Sequence, residues 1–278
     1  MTLVRVGLID TTKAGLDPGL VQSVAAALNT QVTRDLPQFW QVQATVQYLP
    51  RGTKVPIGVW AVRLVDQLPP GEGGFHQDKH NQPFAKVIAS AKSDEWTIDA
   101  SHETIEMLVD PYGNRLQASH AIATTKDGVK DVPGVFEYLV EACDPCEADS
   151  FAYPIQGVAV SDFITPHYYD PIATTGTRYS FTGAIKGPRQ LLKGGYISFI
   201  NSQAGKVQQI LYVDPTKPPQ LVDLGPAEGA SLRRWVHSKT DDLVRKNRHT
   251  NPGLLDQCRQ SRANLEEAAA KHEEVVAG

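Results

Sequence analysis

Apolar positions fall into two rhythms along this chain, and their order predicts most of the first half of the fold. Residues 3–9 alternate and are rich in Val, Leu and Ile, the pattern of a strand. Asp17 and Pro18 then supply an N-cap and a first-turn proline for a helix reaching about Leu36, with Leu20, Val24, Ala27, Leu28 and Val32 on one face; Pro37 stops it. Strand periodicity returns at 42–49, where Val42, Ala44, Val46 and Tyr48 alternate with polar residues, and again at 57–65. After the turn-forming run 69–74 come a short strand at 84–90 and a helix from about Thr97. The predicted order is strand, helix, strand, strand, strand, helix.

Beyond residue 112 the rhythm is less regular. Residues 138–142 read as strand or short helix, 153–164 as a hairpin around Gln156-Gly157, and 196–200 with 207–213 as a second hairpin. The span between these hairpins is rich in Pro and Gly. From about 228 to 247 and from 252 to 276 the pattern turns helical, the last segment holding Glu267 and Lys271 at the favourable i, i+4 spacing. Three units follow: an N-terminal subdomain at 1–112, a loop- and hairpin-rich subdomain at 113–227, and an antiparallel C-terminal helix pair at 228–278, a docking element for a protein partner.

Composition narrows the class. At 278 residues with a formal charge of −4, the chain offers no polycationic surface for nucleic acid or an anionic membrane. The first residues lack a basic stretch followed by a long apolar run, and no segment reaches the eighteen or so apolar residues of a membrane span, so the expectation is a cytoplasmic protein, or one exported without an N-terminal signal peptide. Three cysteines do not make a disulfide framework. Cys143 and Cys146 form a C-x-x-C without a second copy, which reads as small buried side chains flanking Pro145 more readily than as half a zinc site or a redox pair.

The chemistry concentrates in the predicted helix, at His102-Glu103-Thr104-Ile105-Glu106. Residues four apart share a helical face, so His102 and Glu106 can point at one ion with Glu103 beside them. In an H-E-x-x-H helix the first glutamate is the general base of a metalloprotease; here the second histidine is a glutamate. The competing reading is an amphipathic helix whose Ile105, Leu108 and Val109 face a core while its acids face water. Element order and motif together resemble the N-terminal half of zincin metallopeptidases. The resemblance implies an α+β, zincin-like fold: a small twisted sheet with a backing helix and an active-site helix, then a β-hairpin-rich middle and the C-terminal helix pair. It implies a metal-dependent hydrolase, most simply a peptidase acting on a peptide or protein substrate, with Glu103 as catalytic base and His102 and Glu106 as metal ligands. The strand before the active helix is then expected at the sheet edge, where Val87 and Ile88 pair with an extended substrate.

A catalytic zinc takes a third protein ligand. Asp110 is eight residues beyond His102, about 12 Å along a continuous helix, and reaches only if the helix breaks; otherwise it caps the turn at 110–114. The gluzincin resemblance favours a later glutamate, and Glu147 is the first choice, with Glu141 and Asp144 in the same acidic segment left open. Two carboxylates in the ligand set favour Zn²⁺ while making Mn²⁺ or another divalent ion more competitive. Tyr168, Tyr169, His167, Arg178, His120 and Tyr112 are the available electrophiles for an oxyanion. His76 and His80 are possible extra ligands, and His237, His249 and His272 read as surface residues. The rival to an enzyme is a non-catalytic zincin-like module for binding or assembly.

Overall fold

The computed structural model describes residues 3–69, 73–214, 216–245 and 250–277. It is a mixed α/β structure in which two five-stranded sheets share one hydrophobic core. The first sheet is built from β1 (Val4–Asp10), β2 (Ala44–Leu49), β3 (Val59–Val65), β4 (Gly74–Lys79) and β5 (Gln82–Ile88), in the order β2-β1-β3-β5-β4. All neighbours are parallel except the β4–β5 hairpin. Parallel strands need crossovers. The first is α1 (Pro18–Thr30), capped by the Asp17 carboxylate on the amides of Gly19 and Leu20 and extended by one wide turn at Gln31–Asp35.

The sequence pattern misses β4. Its residues are mostly polar, and its turn is His80-Asn81, both in the left-handed region, in place of a glycine-containing pair. The consequence reaches the substrate expectation. β5 is not the sheet edge: β4 pairs along its outer side, Gly74 opposite Val87, and the Ile88 amide donates to Gly73 O at 2.9 Å. Val87 is fully buried, and β4 occupies the edge. Residues 70–72 of the predicted turn run lie outside the described residues, as does His249.

α2 (Trp96–Val109) carries the H-E-x-x-E motif and packs on β4 and β5. The amphipathic expectation fails: every residue of α2 except Asp99 is buried, the acids Glu103 and Glu106 included. A polar seam joins α2 to its neighbours. Ser101 Oγ donates to Gln31 Oε1 at 2.8 Å and accepts from the Ser161 amide at 2.9 Å, while Gln31 Nε2 donates to Ser161 O at 3.0 Å.

The second sheet is antiparallel. It comprises β6 (Leu116–Thr125), β7 (Gly128–Leu139), β10 (Tyr196–Asn201), β11 (Lys206–Leu211) and β12 (Gln220–Gly225), with the small hairpin of β8 (Tyr153–Ile155) and β9 (Val158–Val160) lying between β7 and β10 in the chain. The two predicted hairpins are present; the long β6–β7 ribbon and β12 are additional. Since the core runs continuously from Val6 to Tyr212, the boundary expected at 112 passes through one packed interior. α3 (Leu232–Arg245) places Leu232 and Val236 on Leu139 and Val207, whereas α4 (Pro252–Ala277) places Leu254, Leu255 and Cys258 on Ile98 and Ala159. The two helices thus dock on different surfaces. Among the described residues no helix is long and apolar enough to cross a membrane.

Candidate functional site

Helical periodicity delivers the first half of the site as the motif predicts. His102 and Glu106 lie one turn apart on α2, with His102 Nε2 3.3 Å from Glu106 Oε2. Glu106 Oε1 is held by the Cys143 amide at 3.0 Å, so α2 is tied to the segment that follows β7. That segment turns at Asp144–Cys146 and brings Asp144 Oδ1 to 3.2 Å from the same His102 nitrogen. The approach depends on Gly195, where a Cβ would sit 2.5 Å from Asp144 O and 2.8 Å from Pro145 O. Cys143 and Cys146 are buried and unpaired; burial above all pushes both thiols well above the usual range, fitting a packing role.

His102, Glu106 and Asp144 therefore form one set of donors able to hold a metal, with ligand atoms within 4.8 Å of one another. Two further sets overlap it: His76, Glu103 and Glu106 on one side, Glu141, Asp144 and His237 on the other. Of the acids weighed as a third ligand, Asp144 lies with His102 and Glu106, and Glu141 lies in the set with Asp144 and His237. Glu147 lines the cleft beside it but belongs to none of these sets among the described residues. Asp110 caps the end of α2: its amide donates to Glu106 O at 2.7 Å and its Oδ2 accepts from the Arg115 amide at 2.8 Å. Its carbonyl reaches toward the site, 3.0 Å from His76 Nε2.

The second half of the site comes from α3. Asn114 Oδ1 accepts from the Leu232 amide at 2.8 Å, and the Arg233 amide donates to Gly113 O at 2.9 Å. Gly113 is required twice, by its φ of 64° and because a Cβ there would lie 2.9 Å from Arg233 Cβ. This turn aims Arg233 into the interior. Its Nη2 lies 3.2 Å from Glu103 Oε2 and 3.3 Å from Glu106 Oε2, its Nε donates to Glu141 Oε2 at 2.8 Å, and its Nη1 donates to His76 O at 3.2 Å. One turn on, His237 places Nε2 3.0 Å from Glu141 Oε2 and Nδ1 3.0 Å from Asp241 Oδ1. His237 is thus no ordinary surface residue. Its spacing from Arg233 and Asp241, four residues each way, is the signal in the sequence that marks the face of α3 turned inward.

Electrostatics follow from burial. Glu103, Glu106, Glu141 and Asp144 are each less than 5% exposed. Burial by itself disfavours charge on the His102 ring, yet Glu106 and Asp144 raise its pKa well above the imidazole range. Asp144 moves the other way for a carboxyl: burial first, then Glu106 and Glu141, push it well above the usual value. Beyond the His102 ion pair, neither of its oxygens makes a well-aligned hydrogen bond, nor does Glu141 Oε1.

A cavity of about 220 Å³ opens over His102 and Glu103. Gly73, Gly74 and Ile88 line it, as do Glu147, Tyr196 and, from α3, His237 and Asp241. Ile88 therefore reaches the cleft as a wall residue. Tyr196 stands edge-on to the His237 ring at 5.9 Å, and burial pushes its phenol pKa well up, keeping the hydroxyl a donor. Tyr196 lies at the cleft, unlike the electrophiles named from the sequence. Tyr168 and Tyr169 are buried in the core, His167 pairs with Asp170, Arg178 lies over Phe39 and Phe181, His120 faces Asp131, and Tyr112 is exposed. His80 sits in the exposed β4–β5 turn, and His272 is exposed on α4. No protein-family model, curated protein or solved structure matches this chain, so what the site does rests on its geometry.

Proposed function

We propose that the chain is a metal-dependent hydrolase with a zincin-like arrangement, most simply a peptidase, in which His102, Glu106 and Asp144 hold a divalent ion and Glu103 is the general base. The observation that carries this reading is the fit of the three donors. In a tetrahedral site with bonds of about 2.0–2.2 Å, neighbouring donors stand about 3.3 Å apart. His102 Nε2 lies 3.2 and 3.3 Å from the two carboxylate oxygens, and beside that ion pair neither Asp144 oxygen makes a well-aligned hydrogen bond among the described residues. A divalent ion between the ring and the two carboxyls would take the place of the ion pair and complete the buried Asp144. One imidazole and two carboxylates suit Zn²⁺ and leave Mn²⁺ competitive. Such an ion supplies Lewis acidity toward a carbonyl and toward water.

The chain's own residues do the rest. Glu103 Oε2 is fixed by His76 Nδ1 at 3.3 Å and Arg233 Nη2 at 3.2 Å, leaving Oε1, beside Gly74 in the cleft wall, to take up and return a proton. The order strand, helix, four further strands and active helix, which is the expected order with β4 added at the edge, supports the zincin-like reading. Arg233 orients Glu103 and Glu106, and Tyr196 offers a neutral donor to developing negative charge.

Elemental analysis alongside variants tests the reading. Wild-type protein is expected to carry a stoichiometric divalent ion, His102→Ala to lose it, and Glu103→Gln to keep it while hydrolysis of a broad peptide library falls by about 10²–10⁴-fold. Wild-type protein that binds no divalent ion would falsify the proposal.

A further inference from the structure

The donor set of His102, Glu106 and Asp144 shares Asp144 with the set formed by Glu141, Asp144 and His237. Asp144 is 1% exposed; its Oδ1 stands 3.2 Å from His102 Nε2 and neither of its oxygens makes a well-aligned hydrogen bond, so its carboxylate can serve both sets. Glu141 is 3% exposed. Its Oε2 is engaged by Arg233 and His237, and its Oε1 accepts no hydrogen bond. Two buried carboxylates thus hold open oxygens next to an imidazole, the condition a bound cation relieves. Glu103, Glu106, Glu141 and Asp144 are buried together around Arg233, His102 and His237, so the cluster holds more donors than one ion's three ligands.

We propose that Glu141, Asp144 and His237 hold a second divalent cation, with the Asp144 carboxylate shared between it and the ion at His102 and Glu106. The bridging role of Asp144 rests on the metal-site reading above; the donors of the second set do not. Carboxylate-bridged ions in two-metal sites stand about 3.5–4 Å apart, and one imidazole with two carboxylates selects borderline to hard divalent ions such as Zn²⁺ and Mn²⁺. Three elements assemble the site: the stretch that follows β7 supplies Glu141, the turn at Asp144–Cys146 supplies Asp144, and α3 supplies His237. Docking of α3 then becomes coupled to metal loading.

The test loads the full chain with Mn²⁺ or Zn²⁺, removes loose ions by gel filtration, and counts metal per chain. Two ions in the wild type are expected, with Mn²⁺ giving an exchange-coupled electron paramagnetic resonance spectrum in place of that of isolated ions. His237→Gln and Glu141→Gln are expected to keep one ion, His102→Ala to keep the other, and Asp144→Ala to lose both. One ion in the wild type, lost in His102→Ala and kept in His237→Gln, overturns the second site and leaves the first standing. One ion lost in His237→Gln but kept in His102→Ala supports the Glu141–His237 site and removes the reading at His102. No bound ion overturns both. Wild-type stoichiometry and spectrum decide the matter even where a variant fails to fold.

Discussion

Two buried aspartates in this protein live in opposite conditions. Asp162, fully buried, accepts from the amides of Phe163 and Thr182 at 2.9 Å each and from the Thr182 hydroxyl at 2.7 Å. Asp144, equally enclosed, has the His102 ring 3.2 Å from one oxygen and a well-aligned hydrogen bond at neither. Two buried arginines repeat the contrast. Arg189 clamps Asp131 with two bonds of 2.8 and 2.7 Å and donates to Ser119 Oγ and to the carbonyls of Asp170 and Pro171, with Asp131 partly exposed at the rim. Arg233 instead serves three buried carboxylates at once and leaves oxygens over. A buried charge that serves the fold is saturated by its own chain, because an unmet donor or acceptor costs about 1–3 kcal/mol. The cluster around Asp144 leaves oxygens without hydrogen bonds, and the proposed metal sites rest on that difference.

The contrast can be broken most forcefully at Asp144. Asp144→Ala should abolish metal-dependent turnover and stoichiometric ion binding together, checked by elemental analysis and peptide hydrolysis on one preparation. Stability should separate the two aspartates next. Asp162→Ala strands two amides and a hydroxyl and should destabilise the fold by about 3 kcal/mol. In metal-free protein Asp144→Asn should change stability by less than about 1 kcal/mol, since burial already pushes the Asp144 carboxyl well up toward its neutral form and the amide keeps its shape. Denaturant titration of the chelated proteins reads both; equal losses would dissolve the distinction.

A smaller effect is expected at Gly195→Ala, which presses a methyl group on the carbonyls of Asp144 and Pro145. Metal affinity should fall while the far-UV circular dichroism stays the same. The weakest effect is one of pH. Hydrogen bonding to Arg189 holds the Asp131 carboxyl below its ordinary value, so its stabilisation is complete above about pH 4 and is lost as pH falls through the depressed value. Arg189→Met should remove that part of the acid dependence of stability and leave metal binding unchanged.

How far the sequence foretells this arrangement varies from residue to residue. His102, Glu103 and Glu106 are legible because i, i+4 spacing on a helix is a local property. β1, β2 and β3 are legible for the same reason, through apolar alternation. β4 is hidden because an edge strand of polar residues lacks that alternation, and its concealment misplaced the sheet edge onto Val87 and Ile88. That Asp144, and not Glu147 or Asp110, stands beside His102 is beyond spacing, since the turn is placed by the Cys143 amide on Glu106, the Leu192 amide on Pro145 O and the close approach of Gly195. Arg233 and His237 were hidden by their context, a helix whose polar composition reads as solvated.

The sequence by itself determined the motif-bearing helix, the strand–helix–strand start and the hairpins at Gln156-Gly157 and residues 196–213, because each is dictated by neighbours a few residues apart. Tertiary structure alone decided that α2 is buried almost all round, that β4 closes the sheet, and that Asp144, Glu141, Arg233 and His237 converge on His102 and Glu106. Those placements come from packing between segments more than thirty residues apart, where burial turns ordinary surface residue types into a charged interior. No periodicity encodes that step.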